Sequence, residues 1–200
     1  MSVKNFYPQF NEIPYKKTSV AMPLVIEFAK SLISKYGKET VASALAIFKN
    51  ESGNGSLGVN ENYGGIQADN TVWQGLDLTN VIGTSVIKDN FGDTRRFICF
   101  NENGYKTCFD FLCMKVSQRG LFIGGKTHKY SNIEIKTPQD LTVAYNYEWV
   151  GRNANDVFFK VAKILSDNPT YVFKDKEWIN AANEYKDFIS IYNTSVKNIT

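Results

Sequence analysis

The chain has 200 residues, 43% of them hydrophobic and 14% aromatic, with 23 basic against 20 acidic residues for a net charge of +3. That apolar content is too high for a disordered segment and suits one domain of ordinary size with appendages. Near-balanced charge without a concentrated basic face argues against a dedicated nucleic-acid binder, and no run of about 18 apolar residues is present to span a membrane.

The start, Met1-Ser2-Val3-Lys4-Asn5-Phe6-Tyr7-Pro8, lacks an apolar stretch, so no classical signal peptide is expected. Residues 1–18 carry aromatics, two prolines and Lys16-Lys17 without a clear period, and read as an arm that packs on the domain or docks on a partner. Ser19 marks an N-cap region and Pro23 suits a first helical turn. Leu24, Ile26, Phe28, Ala29, Leu32 and Ile33 then give an amphipathic helix closing at Tyr36-Gly37. The next helix, Glu39 to Phe48, is rich in small and apolar residues and is expected to be largely buried.

At the end of that helix stands Glu51, followed by Ser52-Gly53-Asn54-Gly55, which cannot continue a helix. An acid is mildly disfavoured at a helix C-terminus by the macrodipole, so a purely structural role is an odd use for it. A half-buried carboxyl here would bind its proton more tightly, as a general acid near neutral pH requires. The loop from Ser52 to Thr71 is long and rich in glycine and asparagine, and long loops inside compact domains tend to be functional. Trp73 follows, suited to the core or to a sugar face. Val81 to Ile87 and Arg95 to Phe100 are rich in β-branched and aromatic residues and flank the turn-like run Lys88-Asp89-Asn90-Phe91-Gly92-Asp93, which predicts a β-hairpin.

Asn103 to Gln118 reads as a helix and 119–136 as a loop. Thr137-Pro138-Gln139-Asp140 then has the signature of a helix start. That helix carries Ala144-Tyr145-Asn146; Asn153-Ala154-Asn155-Asp156 opens another through Leu165, and 175–192 forms a last amphipathic helix. Cys99, Cys108 and Cys113 show no metal or redox spacing and are expected as reduced, partly buried thiols, with a Cys99–Cys108 bridge as the alternative. His128, the lone histidine, is expected on an exposed loop.

Glu51-Ser52, Gly65-Ile66-Gln67 and Ala144-Tyr145-Asn146 stand in the order of three signatures of the lysozyme-like superfamily. They resemble most the soluble lytic transglycosylases and goose-type lysozymes. The run Glu51-Ser52-Gly53-Asn54-Gly55 with Asn62-Tyr63-Gly64-Gly65-Ile66 is also similar to autolysin-type glucosaminidases. The resemblance covers roughly residues 20 to 166 and departs from the transglycosylase pattern at Tyr147-Glu148. It implies an α+β, mainly α-helical, lysozyme-like fold with a small β-hairpin lobe beside a cleft. The expected organisation is an arm (1–18), a catalytic domain (19–168) and a C-terminal extension (169–200).

The resemblance further implies a glycosidase cutting the MurNAc–GlcNAc backbone of peptidoglycan, as a lytic transglycosylase or muramidase. Glu51 would be the general acid and Tyr145 a cleft phenol near the reacting sugar. Ser52, Tyr63, Gly65, Gln67 and Asn146 would bind substrate, with no metal or other cofactor. A second carboxylate could be Asp69, Asp77 or Asp93, and nothing in the sequence chooses among them. Without a signal peptide, delivery to the wall would come through a phage tail or a secretion assembly. The alternative class is a non-catalytic lysozyme-like domain kept for wall binding or as a structural component.

Overall fold

The computed structural model describes residues 3–88 and 92–200. The chain divides into two compact units, Met1–Leu32 with Ile47–Cys113, and Ile33–Ala46 with Met114–Thr200. Among the described residues there are seven α-helices and two small antiparallel two-stranded sheets, an α+β architecture made mainly of helix. No helix is long and apolar enough to cross a membrane among them.

In the first unit the N-terminal arm leads through β1 (Lys17–Thr18) into α1 (Met22–Ser31). Pro23 lies in the first turn of α1, but the N-cap is Ala21 and makes no side-chain bond, so the cap sits two residues beyond the expected Ser19 region. The helix also stops at Ser31, whose hydroxyl bonds back to Phe28 O at 2.6 Å, and a separate short α2 (Ile33–Tyr36) follows in the second unit.

Helix α3 (Lys38–Glu51) draws its residues from both units. Every residue from Thr40 to Lys49 is buried. A helix apolar on all sides has no face to give to water, and Ala42, Ser43, Ala44 and Ala46 keep it slender enough for neighbours to pack all round. Its last turns join an aromatic cluster in the first unit. Phe48 lies 5.7 Å from Phe109 and 6.0 Å from Tyr63, and Phe28 packs edge-on to Phe109 at 6.4 Å.

The hairpin pairs β3 (Val81–Lys88) with β4 (Thr94–Phe100), with an irregularity between Val81 and Gly83. The strands lie where the β-branched runs place them; of the turn between them, Asp89, Asn90 and Phe91 fall outside the described residues. The arm is stitched along this hairpin. Thr84 N–H donates to Asn11 O at 2.9 Å, Ile13 N–H donates to Thr84 O at 2.8 Å, and Glu12 pairs with Arg96 at 2.8 Å. Tyr7 is buried, its hydroxyl accepting from Trp73 N–H at 2.7 Å. β1 pairs with β2 (Gly58–Val59) in the loop after α3. Helix α4 (Gly104–Gln118) closes this unit and runs on into the second.

The second unit also holds α5 (Pro138–Tyr145), a π-helical turn (Asn146–Val150), α6 (Val157–Asp167) and α7 (Lys176–Ile199). Its core is built on Phe158, Val161, Leu165, Ala182 and Tyr185. The helix starts are capped by side chains. Thr137 and Asp140 form a reciprocal capping box, Asp156 accepts from Phe158 N–H, and Asp175 accepts from Glu177 N–H. Helix α7 continues to Ile199, further than its expected end near 192, because Tyr192, Ser195 and Ile199 keep its buried stripe in register.

Candidate active site

Glu51 is the last residue of α3. The turn beyond it is a compact knot of backbone bonds. Asn54 N–H donates to Lys49 O at 2.7 Å and Leu57 N–H to Ser52 O at 2.9 Å. Gly53, Asn54 and Gly55 all take left-handed φ values, at 54°, 56° and 84°. At Gly55 a Cβ would stand 2.5 Å from Val20 O, so this position admits only glycine. The chain reverses so sharply that Glu51 is thrown out past the last buried turn.

Glu51 is therefore exposed, where burial of about half its surface was expected. Helix α3 buries its side chains only as far as Lys49, whose ammonium is pushed below its ordinary pKa by desolvation.

Glu51 lines a groove of about 570 Å³ that lies within the first unit. Leu57, Gly58 and Val59 of the turn line it too, with Tyr15 and Lys17 of the arm and Ile87, Lys88 and Phe97 of the hairpin. Two local devices hold these segments. The Asn60 side chain accepts from Lys16 N–H at 2.8 Å and donates to Pro14 O at 2.9 Å, which fixes the arm. Asn62 fixes the loop to the hairpin. Its amide donates to Ile66 O at 2.9 Å and Ile98 O at 2.8 Å and accepts from Ile66 N–H at 3.0 Å.

The other residues singled out in the sequence fall into distinct places. Ser52 is fully buried, its hydroxyl donating to Phe48 O at 2.6 Å and accepting from Gly55 N–H at 2.9 Å. With both bonds spent on backbone it shapes the turn. Tyr63 is 1% exposed and donates to Glu61 Oε2 at 2.8 Å. Burial raises its phenol well above the ordinary value, the Thr18 hydroxyl opposes this, and Glu61 adds to it. The Tyr63 ring packs beneath Gly58. Gly65 is exposed with a φ of 59°. Gln67 is half-buried; its backbone pairs with Phe97 and its carbonyl accepts from Trp73 Nε1 at 2.7 Å.

Tyr145 and Asn146 belong to the second unit. Tyr145 is 3% exposed and its ring stacks on Phe188 at 4.4 Å, a packing arrangement rather than that of an open cleft phenol. Asn146 is buried, donating to Thr142 O at 2.9 Å and accepting from Arg152 Nε at 2.7 Å, so it braces the π-turn instead of presenting its amide to a ligand.

Of the three acids considered as a second carboxylate, Asp69 accepts from Arg96 N–H at 2.9 Å and Asp93 stands 3.5 Å from Arg95. Asp77 is held below the ordinary carboxylate range by the Thr79 hydroxyl and N–H. None of the three lines the Glu51 groove. All three cysteines are free and buried, and burial pushes the Cys99 and Cys108 thiols up to about 12, which makes them inert. Among the described residues no cluster of His, Cys, Asp or Glu could hold a metal ion.

Glu148, noted in the sequence only as a departure from the transglycosylase pattern, has a structural role. It sits buried on the π-turn, where its Oε1 accepts from Tyr130 N–H, Ser131 N–H and the Ser131 hydroxyl at 3.0, 2.8 and 2.8 Å. Burial pushes its pKa up, but these donors and the Arg119 charge outweigh that and leave it below the ordinary value. It anchors the 119–136 loop. Two clefts of about 310 and 450 Å³ also lie in this unit, and the Asp140 carboxylate lining both is already committed to the α5 cap.

The groove residues Tyr15, Lys17 and Lys88 were likewise missed. One signal for the first two was available. In an extended arm, residues two apart point the same way, so Tyr15 and Lys17 share a face. Compared with known protein families, with characterised proteins and with solved structures, the chain matches none.

Proposed function

We propose that the chain is a lysozyme-like glycosidase that cleaves the MurNAc–GlcNAc backbone of peptidoglycan with Glu51 as its general acid. The observation that carries this reading is the placement of Glu51, at the end of a buried helix and on the lining of a groove walled by a β-hairpin. The fully packed helix gives the carboxylate a rigid base, which positioning of a proton donor requires.

In the reaction the Glu51 carboxyl gives its proton to the glycosidic oxygen as the bond to C1 breaks and charge builds on the sugar ring. A bound glycan lying over the exposed carboxyl would exclude water from it and favour the protonated form beforehand. Glu51 is the one carboxylate on the groove lining among the described residues. That favours the route in which the sugar supplies its own nucleophile. The C6 oxygen bonds to C1, its proton passes to the Glu51 carboxylate, and the product is a 1,6-anhydro sugar with the enzyme returned to its starting state. Delivery to the wall by a phage tail or secretion assembly belongs to the same reading.

Zymography on purified cell walls tests the activity, and mass spectrometry of the products tests the route. Clearing with anhydro-muropeptides supports both parts. Reducing-end products redirect the mechanism to water attack, and absence of clearing by the folded wild-type protein removes the enzymatic reading in favour of a wall-binding domain.

A further inference from the structure

The groove around Glu51 is lined by two lysines that the general-acid chemistry does not use. Lys17 projects from the arm and Lys88 from the end of β3, and both are exposed. Neither makes an ion pair with another described residue. Against the single Glu51 carboxylate, the described residues of the lining therefore carry a surplus of one positive charge. Beside Lys17 on the same face of the arm is Tyr15, 51% exposed, and across the turn Leu57 is 55% exposed. An aromatic ring with an open face next to a cation matches a ligand with an apolar ring face and an attached carboxylate.

The arm is held for this purpose by bonds that do not involve the two side chains themselves. Lys16, between them, is fixed through Asn60 on both its N–H and its carbonyl, and Lys17 is paired with Val59 by backbone. Tyr15 and Lys17 are thus presented by a braced strand while their own side chains remain unengaged by ion pairs.

We propose that Tyr15, Lys17 and Lys88 form an anionic-sugar subsite, in which Tyr15 stacks on the pyranose and the two ammonium groups hold a carboxylate such as the lactyl group of a muramyl residue. This rests on the glycosidase reading for its ligand class. It goes further by assigning selectivity for an acidic glycan over a neutral one of the same backbone to three named side chains. An exposed ion pair is worth about two- to fivefold in affinity, so two lysines give a preference of about tenfold at low salt, screened away as the ionic strength rises.

The test uses the full chain carrying Glu51→Gln, so that no ligand is consumed. A GlcNAc–MurNAc tetrasaccharide with free lactyl carboxylates and neutral chitotetraose are each titrated by calorimetry. The acidic sugar is expected to bind about tenfold tighter in about 20 mM salt, and the preference is expected to fall below about twofold in about 0.5 M salt. Adding Lys17→Gln and Lys88→Gln together should abolish the preference at low salt, whereas adding Tyr15→Ala should weaken both sugars by a similar factor. Equal binding of the two sugars, binding of neither, or a preference that survives the double lysine change overturns the subsite. Zymography of the wild type is read separately. A wall-cleaving enzyme without the preference sinks only this inference, and a preference without cleavage sinks only the glycosidase reading.

Discussion

Replacing Asn62 by alanine removes the side chain that ties the Gly64–Gln67 loop to the hairpin. Asn62 is 2% exposed and makes three bonds to backbone, two as donor and one as acceptor. The Ile66 carbonyl keeps a second partner, since Ile98 N–H donates to it at 3.0 Å. The Ile66 N–H and the Ile98 carbonyl lose the bond that Asn62 gives them, and both residues are buried. A buried backbone group left without a partner costs about 1–3 kcal/mol, so the substitution should cost about 2–6 kcal/mol in all. That is a large part of the stability of a typical domain, about 5–15 kcal/mol.

Urea denaturation followed by tryptophan fluorescence measures the loss, and hydrogen exchange at the Ile66 and Ile98 amides locates it. Asn62→Asp separates donors from acceptors. It keeps the acceptor for Ile66 N–H but sets a carboxylate against two carbonyl oxygens, so its destabilisation should shrink as the pH falls and the acid becomes neutral. A loss below about 1 kcal/mol for Asn62→Ala, with an unchanged denaturant slope, would refute the assignment of Asn62 as the tie.

Gly58→Ala would place a Cβ 2.5 Å from Thr18 Oγ1 and 2.6 Å from Tyr63 Cε1. It should cost about 1–3 kcal/mol in thermal or chemical denaturation by forcing β1 and β2 apart, and an unchanged melting temperature would contradict that packing. At Glu148 the folded carboxyl has a depressed pKa, so its stabilisation is full above the unfolded value of about 4.3 and is lost as pH falls through the lower folded value. Wild type should therefore exceed Glu148→Gln in stability by about 1–3 kcal/mol at neutral pH, with the gap closing in acid. A gap independent of pH would show that the charge on Glu148 is not what anchors Tyr130 and Ser131.

The elements most legible in the sequence were those whose signal is local. The run of small and apolar residues from Val41 to Phe48 reads as a buried helix, and the β-branched runs around Lys88–Asp93 placed both hairpin strands. Thr137-Pro138-Gln139-Asp140 named its own cap. The arm was ambiguous because its bonds are non-local: Lys16 meets Asn60, 44 residues away, and no period within residues 3–18 encodes that. The π-turn escaped notice because one extra residue in a helix leaves no compositional trace.

Motif residues proved hardest to place. Ser52, Tyr63 and Asn146 carry polar groups suited to either ligand or backbone, and the structure spends them on backbone or on neighbouring side chains. Glu51 was correctly located at the helix end, yet its exposure depends on how tightly the next three residues turn back, which only the successive left-handed conformations reveal.

The most direct measurement compares wild type with Glu51→Gln for clearing of purified cell walls, with melting temperatures recorded alongside. Because Glu51 is exposed, the variant should stay folded while lytic activity falls by about 10²–10⁴-fold. A Gln variant that folds and clears cell walls at the wild-type rate would contradict the assignment of Glu51 as the proton donor.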